Sequence, residues 1–161
     1  MSDKKLELAR SLGARHGINA KSTDVVAAIR QLTGDLGADA TLECIGSPST
    51  YKTCIDSVKR GGRVVVVGFH PDPLKVDPLR LMLDEVTITG AHVANRREIT
   101  EIVRLLSDRR IDIRRMVTHT LDFQDIRHGL ERLRTQEGDP IRIVVRFPAS
   151  ETPGRQEPLH A

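Results

Sequence analysis

Between Lys4 and Leu12 the apolar residues Leu6, Leu8, Ala9 and Leu12 recur at helical spacing and stop at Gly13, which predicts a short helix with a glycine end. His16–Ala20 reads as a short strand. Ser22, Thr23 and Asp24 offer capping oxygens to a second helix carrying Val25, Val26, Ala28, Ile29 and Leu32. Ala38–Ile45 reads as a buried strand despite Asp39 and Glu43. Ser47 and Ser49 around Pro48 open a helix over Thr50–Lys59, ended by Gly61 and Gly62. Arg63–Phe69 (RVVVVGF) is a β-branched run between glycines, the pattern of a parallel strand covered on both faces. After a loop with Pro71, Pro73 and Pro78 come a short helix through Leu79–Leu83 and a strand at Val86–Gly90.

Helical periodicity then returns. Asn95 with Glu98 forms a capping-box pattern before Ile99, Ile102, Val103 and Leu106. A link with Ile111 and Ile113 leads to a last helix, with Asp122 and Asp125 at its start and Ile126, Leu130 and Leu133 inward. Ile141–Phe147 is a final strand, and residues 148–161 are polar and proline-rich, the composition of a disordered tail. Strands alternating with helices place the chain in the α/β class with a parallel sheet.

Composition narrows the function. With three Phe, one Tyr and no Trp among 161 residues, the chain has almost nothing on which bases could stack. The net charge of +3 comes from basic residues interleaved with acids. Even the stretch Arg104–Arg115 contains Asp108 and Asp112, so it reads as a solvated face rather than a nucleic-acid surface. No apolar stretch approaches the roughly 18 residues of a membrane span. Two cysteines, Cys44 and Cys54, make no disulfide framework and point to a reducing, cytoplasmic setting.

Candidate chemistry lies at the strand ends, where an open parallel sheet binds ligands. Glu43–Ser47, Val67–His70 and Thr89–Val93 each place a glycine there. No two glycines are spaced as G-x-G, so the dinucleotide fingerprint is absent, and no C-x-x-C or H-E-x-x-H exists to hold zinc. Cys44, within an apolar strand, reads as a small core residue. His16, His92, His119 and His128 are scattered and form no catalytic arrangement.

The stretches KKLELARSLGARHGINA, LECIGSPST, GGRVVVVGF, TITGAHV and IRIVVRF occur in the order and spacing of a known family. Across residues 2–147 the sequence resembles the C-terminal, cofactor-binding half of the zinc-type medium-chain alcohol dehydrogenases, in the sorbitol and threonine dehydrogenase branch. The resemblance implies a partial oxidoreductase transferring a hydride between a secondary alcohol or polyol and NAD or NADP. It implies an incomplete Rossmann sheet over 1–147, lacking the first two strands and the glycine-rich turn. Lys5 matches a ribose contact, and Ile45 and Gly46 line the ribose side of the crevice. Val67, Gly68 and Phe69, with Ala91, His92 and Val93, match the strand ends that hold the nicotinamide ribose and carboxamide. Arg142 matches an arginine that reaches the pyrophosphate in some members. The ribose-binding acid would fall just before Met1, and Asp3 sits three positions too late to replace it. Zinc and the catalytic residues belong to a domain outside this stretch, so an isolated chain is expected to be inactive and to bind NAD(P) weakly at best. The alternative is a non-catalytic module that pairs through the strand 86–94 with itself or with a full-length homologue.

Overall fold

The computed structural model describes residues 2–148, and the tail expected over 148–161 lies, beyond Pro148, outside them. The chain divides into two compact units, one up to Ile99 and one from Thr100. In the first, helix α1 (Asp3–Ser11) is capped by the Ser2 hydroxyl, and α2 (Val25–Leu32) by the Asp24 carboxylate, which accepts the Ala27 amide at 3.1 Å. The strands β1 (Ala38–Glu43), β2 (Val58–Val66) and β3 (Thr87–Gly90) follow, all parallel, in the spatial order β1-β2-β3. Helix α3 (Pro48–Ser57) connects the first two, and α4 (Pro78–Asp84) lies in the second crossover.

The register sorts the side chains by face. Thr41 and Glu43 lie beside Val64 and Val66, which lie beside Ile88 and Gly90. Residues alternate between faces along a strand, so these form one face, and α3 covers it. The core there comprises Ile55, Val58, Val64 and Val86, with Cys54, Val66, Leu74, Val76, Leu81 and Ile88 packed around it. The opposite face presents Ala40, Thr87 and Thr89 exposed, and Leu42 at 65% exposure. The β-branched run predicts cover on both faces; among the described residues of this unit, the α3 face is covered and the other leaves Leu42, Thr87 and Thr89 exposed.

Three further expectations are corrected. Residues 17–20 form no strand: the Gly17 carbonyl accepts from the Arg10 guanidinium, and the Asn19 side chain donates to Asp3. The segment is held by side chains of α1 instead of a neighbouring ladder. Helix α3 ends at Ser57, not Lys59, because Val58 is already extended and buried in the sheet. Gly61 and Gly62 then fall inside β2, where the register shifts between Ala38 and Ala40. A Cβ on Gly62 would stand 2.6 Å from a Val58 methyl and 3.0 Å from the Asp39 carbonyl, so the irregular ladder needs a glycine there.

Helix α5 (Arg96–Ser107) spans the boundary between units, opened by the reciprocal bonds of Asn95 and Glu98 that the capping box predicts. The second unit contains an unexpected strand, β4 (Val117–Asp122), parallel to β5 (Arg142–Arg146), with α6 (Ile126–Thr135) between them in sequence. β4 carries only Val117 and Leu121 as apolar signals, and its ladder depends on β5, 24 residues or so further on. β5 therefore closes a separate two-stranded sheet.

One consequence concerns the two faces of the first sheet. Val64→Ala, at 1% exposure, is expected to lower unfolding free energy by about 2 kcal/mol. Leu42→Ala on the open face is expected to change it by no more than about 0.5 kcal/mol. Urea-unfolding midpoints of the two variants provide the check.

Candidate functional site

The three parallel strands bring their carboxyl ends together. The Glu43 carbonyl accepts the Val67 amide at 2.8 Å and the Gly68 amide at 2.9 Å, and the Val66 carbonyl accepts the Ala91 amide at 2.9 Å. Gly46 and Gly68 cross in direct contact. A Cβ on Gly46 would lie 2.2 Å from the Phe69 carbonyl oxygen, and one on Gly68 would lie 2.2 Å from the Gly46 nitrogen. Gly46 also has φ +75°, a region that strains any other residue. From α3, the Tyr51 hydroxyl donates to the Gly68 carbonyl at 2.8 Å and pins the crossing from below.

Of the residues expected in the crevice, Ile45, Gly46, Val67, Gly68 and Phe69 share this crossing. Ile45 and Phe69 are 68% and 86% exposed, an apolar pair open to a ligand. Ala91 joins them through its amide; His92 and Val93 follow on an exposed turn where Val93 has φ +52°. Lys5 sits half-buried on α1, which makes no extensive contact with the three strands among the described residues. Arg142 belongs to the second unit, exposed at the start of β5, its carbonyl accepting from the Thr118 hydroxyl. Cys44 is exposed, not a core residue, because β1 ends at Glu43 and the next residue leaves the covered face.

The residue that pattern reading passed over is Glu43. It is 2% exposed. Its Oε1 accepts the Thr50 hydroxyl at 2.6 Å and the Ile45 and Gly46 amides at 2.9 Å each, and Oε2 accepts Gly46 again at 3.0 Å. Burial by itself pushes the carboxyl pKa up; the Thr50 hydroxyl and the two amides bond the ionised form and bring it below the ordinary glutamate value. The signal in the sequence is an acid at the last position of an apolar strand, just ahead of a glycine and a Ser–Pro helix start.

A separate concavity of about 680 Å³ lies along α3 and the proline loop, lined by Pro48, Ile55, Leu74, Val76 and Arg80 among others, and contains none of the strand-end residues. No group of three or more His, Cys, Asp or Glu is placed to hold a metal ion among the described residues, so the side chains present do not fit a catalytic zinc. The strand ends do fit one wall of a dinucleotide site: close backbone approach at two glycines, beside exposed apolar side chains.

Two outcomes follow from this geometry. Gly68→Ala is expected to cost about 3 kcal/mol or more, because the added carbon meets backbone that cannot yield, whereas Gly90→Ala, with open space at its Cβ, is expected to change stability by less than about 1 kcal/mol; thermal unfolding compares them. Glu43 has a lowered folded pKa, so its ionised form adds stability above the unfolded value near 4.3 and loses it as pH falls through the folded one. The stability gap between the unaltered chain and Glu43→Gln should therefore be widest at neutral pH and shrink in acid, as read by urea midpoints across pH.

Comparison with known proteins places this geometry. The chain is 33% identical over 145 residues to the zinc-type alcohol dehydrogenase-like protein YdjJ of Escherichia coli, covering 90% of this chain and 41% of that protein. The structure of benzyl alcohol dehydrogenase from Acinetobacter calcoaceticus superposes with a TM-score of 0.82 at 29% identity, over 92% of this chain and 41% of that one. An Escherichia coli oxidoreductase/dehydrogenase of unknown specificity gives 0.84 at 32%, over 91% and 42%. The chain thus spans about two fifths of the length of these relatives, and it matches their C-terminal, Rossmann-like part. The zinc-binding dehydrogenase family itself matches residues 1–108. This α/β chain of parallel strands, matched by that family over residues 1–108, belongs to the zinc-binding dehydrogenase family.

Proposed function

We propose that this chain supplies one wall of an NAD(P) groove in an oxidoreductase that moves a hydride between a secondary alcohol or polyol and the nicotinamide. The observation that carries this reading is the crossing of Gly46 and Gly68 at adjoining parallel strand ends, flanked by exposed Ile45 and Phe69. Backbone without side chains allows a flat ligand to approach, and the two apolar groups offer it a surface. In this reading Ile45 and Gly46 line the ribose side of the crevice; Val67, Gly68, Phe69, Ala91, His92 and Val93 face the nicotinamide ribose and carboxamide. Lys5 serves the ribose and Arg142 the pyrophosphate, for which a guanidinium suits bidentate contact.

The isolated chain offers one wall and, among its described residues, no zinc ligand set, so it is expected to bind weakly and not to turn over. Purified chain incubated with NAD, zinc and a panel of secondary alcohols should give no sustained NADH absorbance, and NADH should bind with a Kd of about 1 mM or weaker. Ile45→Asp should weaken that binding further. Sustained NADH production would overturn the expectation of inactivity, and Ile45→Asp without effect would remove Ile45 from the groove.

A second reading, a module that pairs through residues 86–94, is favoured by one feature. β3 is an edge strand, with no ladder on its outer side among the described residues. Such an edge is a template for pairing with another chain, a second copy or a full-length relative. Sedimentation of the chain alone and mixed with an intact homologue separates the readings; a strictly monomeric species in both counts against pairing.

A further inference from the structure

A turn from a parallel strand through a glycine into a helix is where dinucleotide folds bind phosphate, because its amides and the helix N-terminus face an anion. The β1–α3 turn has that architecture, yet the amides of Ile45, Gly46, Ser47 and Thr50 already bond within the chain. The Ile45 and Gly46 amides both bond the Glu43 carboxylate. The Ser47 amide donates to the Thr50 hydroxyl, and the Thr50 amide to the Ser47 hydroxyl. Pro48 has no N–H to give. The carboxylate approaches from the covered face of the sheet, 2% exposed, so the two amides are directed inward toward it while Ile45 stays exposed.

We propose that Glu43 is an internal anion occupying the amide nest of the β1–α3 turn, a positioning residue that holds Ile45 outward and denies a ligand phosphate the Ile45 and Gly46 amides. Two charge-assisted amide bonds and one hydroxyl bond satisfy the carboxylate, and a second anion would find both nest amides already engaged. Glu43 forms no ion pair among the described residues. Its titratable neighbours are the Cys44 thiol on the same segment and, on α3, the Tyr51 hydroxyl, which donates to the Gly68 carbonyl, and the Cys54 thiol; burial pushes the Cys54 pKa up, so that thiol stays neutral throughout the acid range. A phosphate in the groove must therefore find donors other than these two amides. The phosphate consequence rests on the dinucleotide reading; the filling of the nest does not.

Amide NMR of the unaltered full chain tests the filling directly. At neutral pH, added inorganic pyrophosphate should leave the Ile45 and Gly46 amide resonances unmoved, and acidification should shift both together, with a single midpoint below that of an ordinary glutamate. In Glu43→Ala, acetate should shift the same two amides saturably, while acetamide binds at least about tenfold more weakly for want of charge. Saturable movement with pyrophosphate in the unaltered chain, separate or absent acid titration, or a folded Glu43→Ala that ignores acetate would each overturn the proposal. If that variant does not fold, the two measurements on the unaltered chain decide. None requires dinucleotide binding, so a chain that binds no NADH fails the groove reading and leaves this one standing.

Discussion

Taking a carboxylate out of water removes its hydration, and a fold tolerates this only where hydrogen bonds to the ionised form replace it. Glu43 meets that condition by drawing two consecutive amides and a helix hydroxyl onto itself. The result is more than local. The same residue's carbonyl receives the Val67 and Gly68 amides, so one position ties the end of β1, the start of α3 and the end of β2. Once these are tied, the space between Gly46 and Gly68 is too small for any side chain, and the Tyr51 hydroxyl closes it from the helix side. The strand-end geometry descends from that constraint.

The sheet built on this junction is asymmetric. Its α3 face holds the compact aliphatic core around Val58 and Val64, while its other face leaves Leu42 open, and Ile45 and Phe69 are exposed at the strand tips. A core so poor in aromatic residues gains its stability from many small dispersion contacts among branched side chains, which are sensitive to the loss of single methyl groups. The exposed apolar groups fall in two places with different meaning. Those at the tips suit contact with a flat ligand; those on the open face are of the kind that parallel sheets ordinarily cover.

Family membership and chemistry are separate conclusions here. The chain belongs to the zinc-binding dehydrogenases, yet it covers about two fifths of the relatives it matches, and its described residues assemble no metal ligand set. It matches the C-terminal, Rossmann-like part of such enzymes, and its own acid occupies the two amides of its first strand-to-helix turn.

Much of this was legible in residue order. Glycine-bounded β-branched runs, capping residues such as Asp24, Ser47 and the Asn95–Glu98 pair, and the glycines at three strand ends dictate local structure through short-range forces, and the elements they predict are present. What depended on partners distant in sequence was not legible. β4 exists because β5 pairs with it, the Gly17–Ala20 segment stays outside any ladder, and Cys44 points away from the core. Glu43 combines both: in the sequence it looks like a flaw in a buried strand, and although its carboxylate partners Ile45, Gly46 and Thr50 lie within seven residues, its burial and the bonds of its carbonyl to Val67 and Gly68 exist only once β2 lies beside β1.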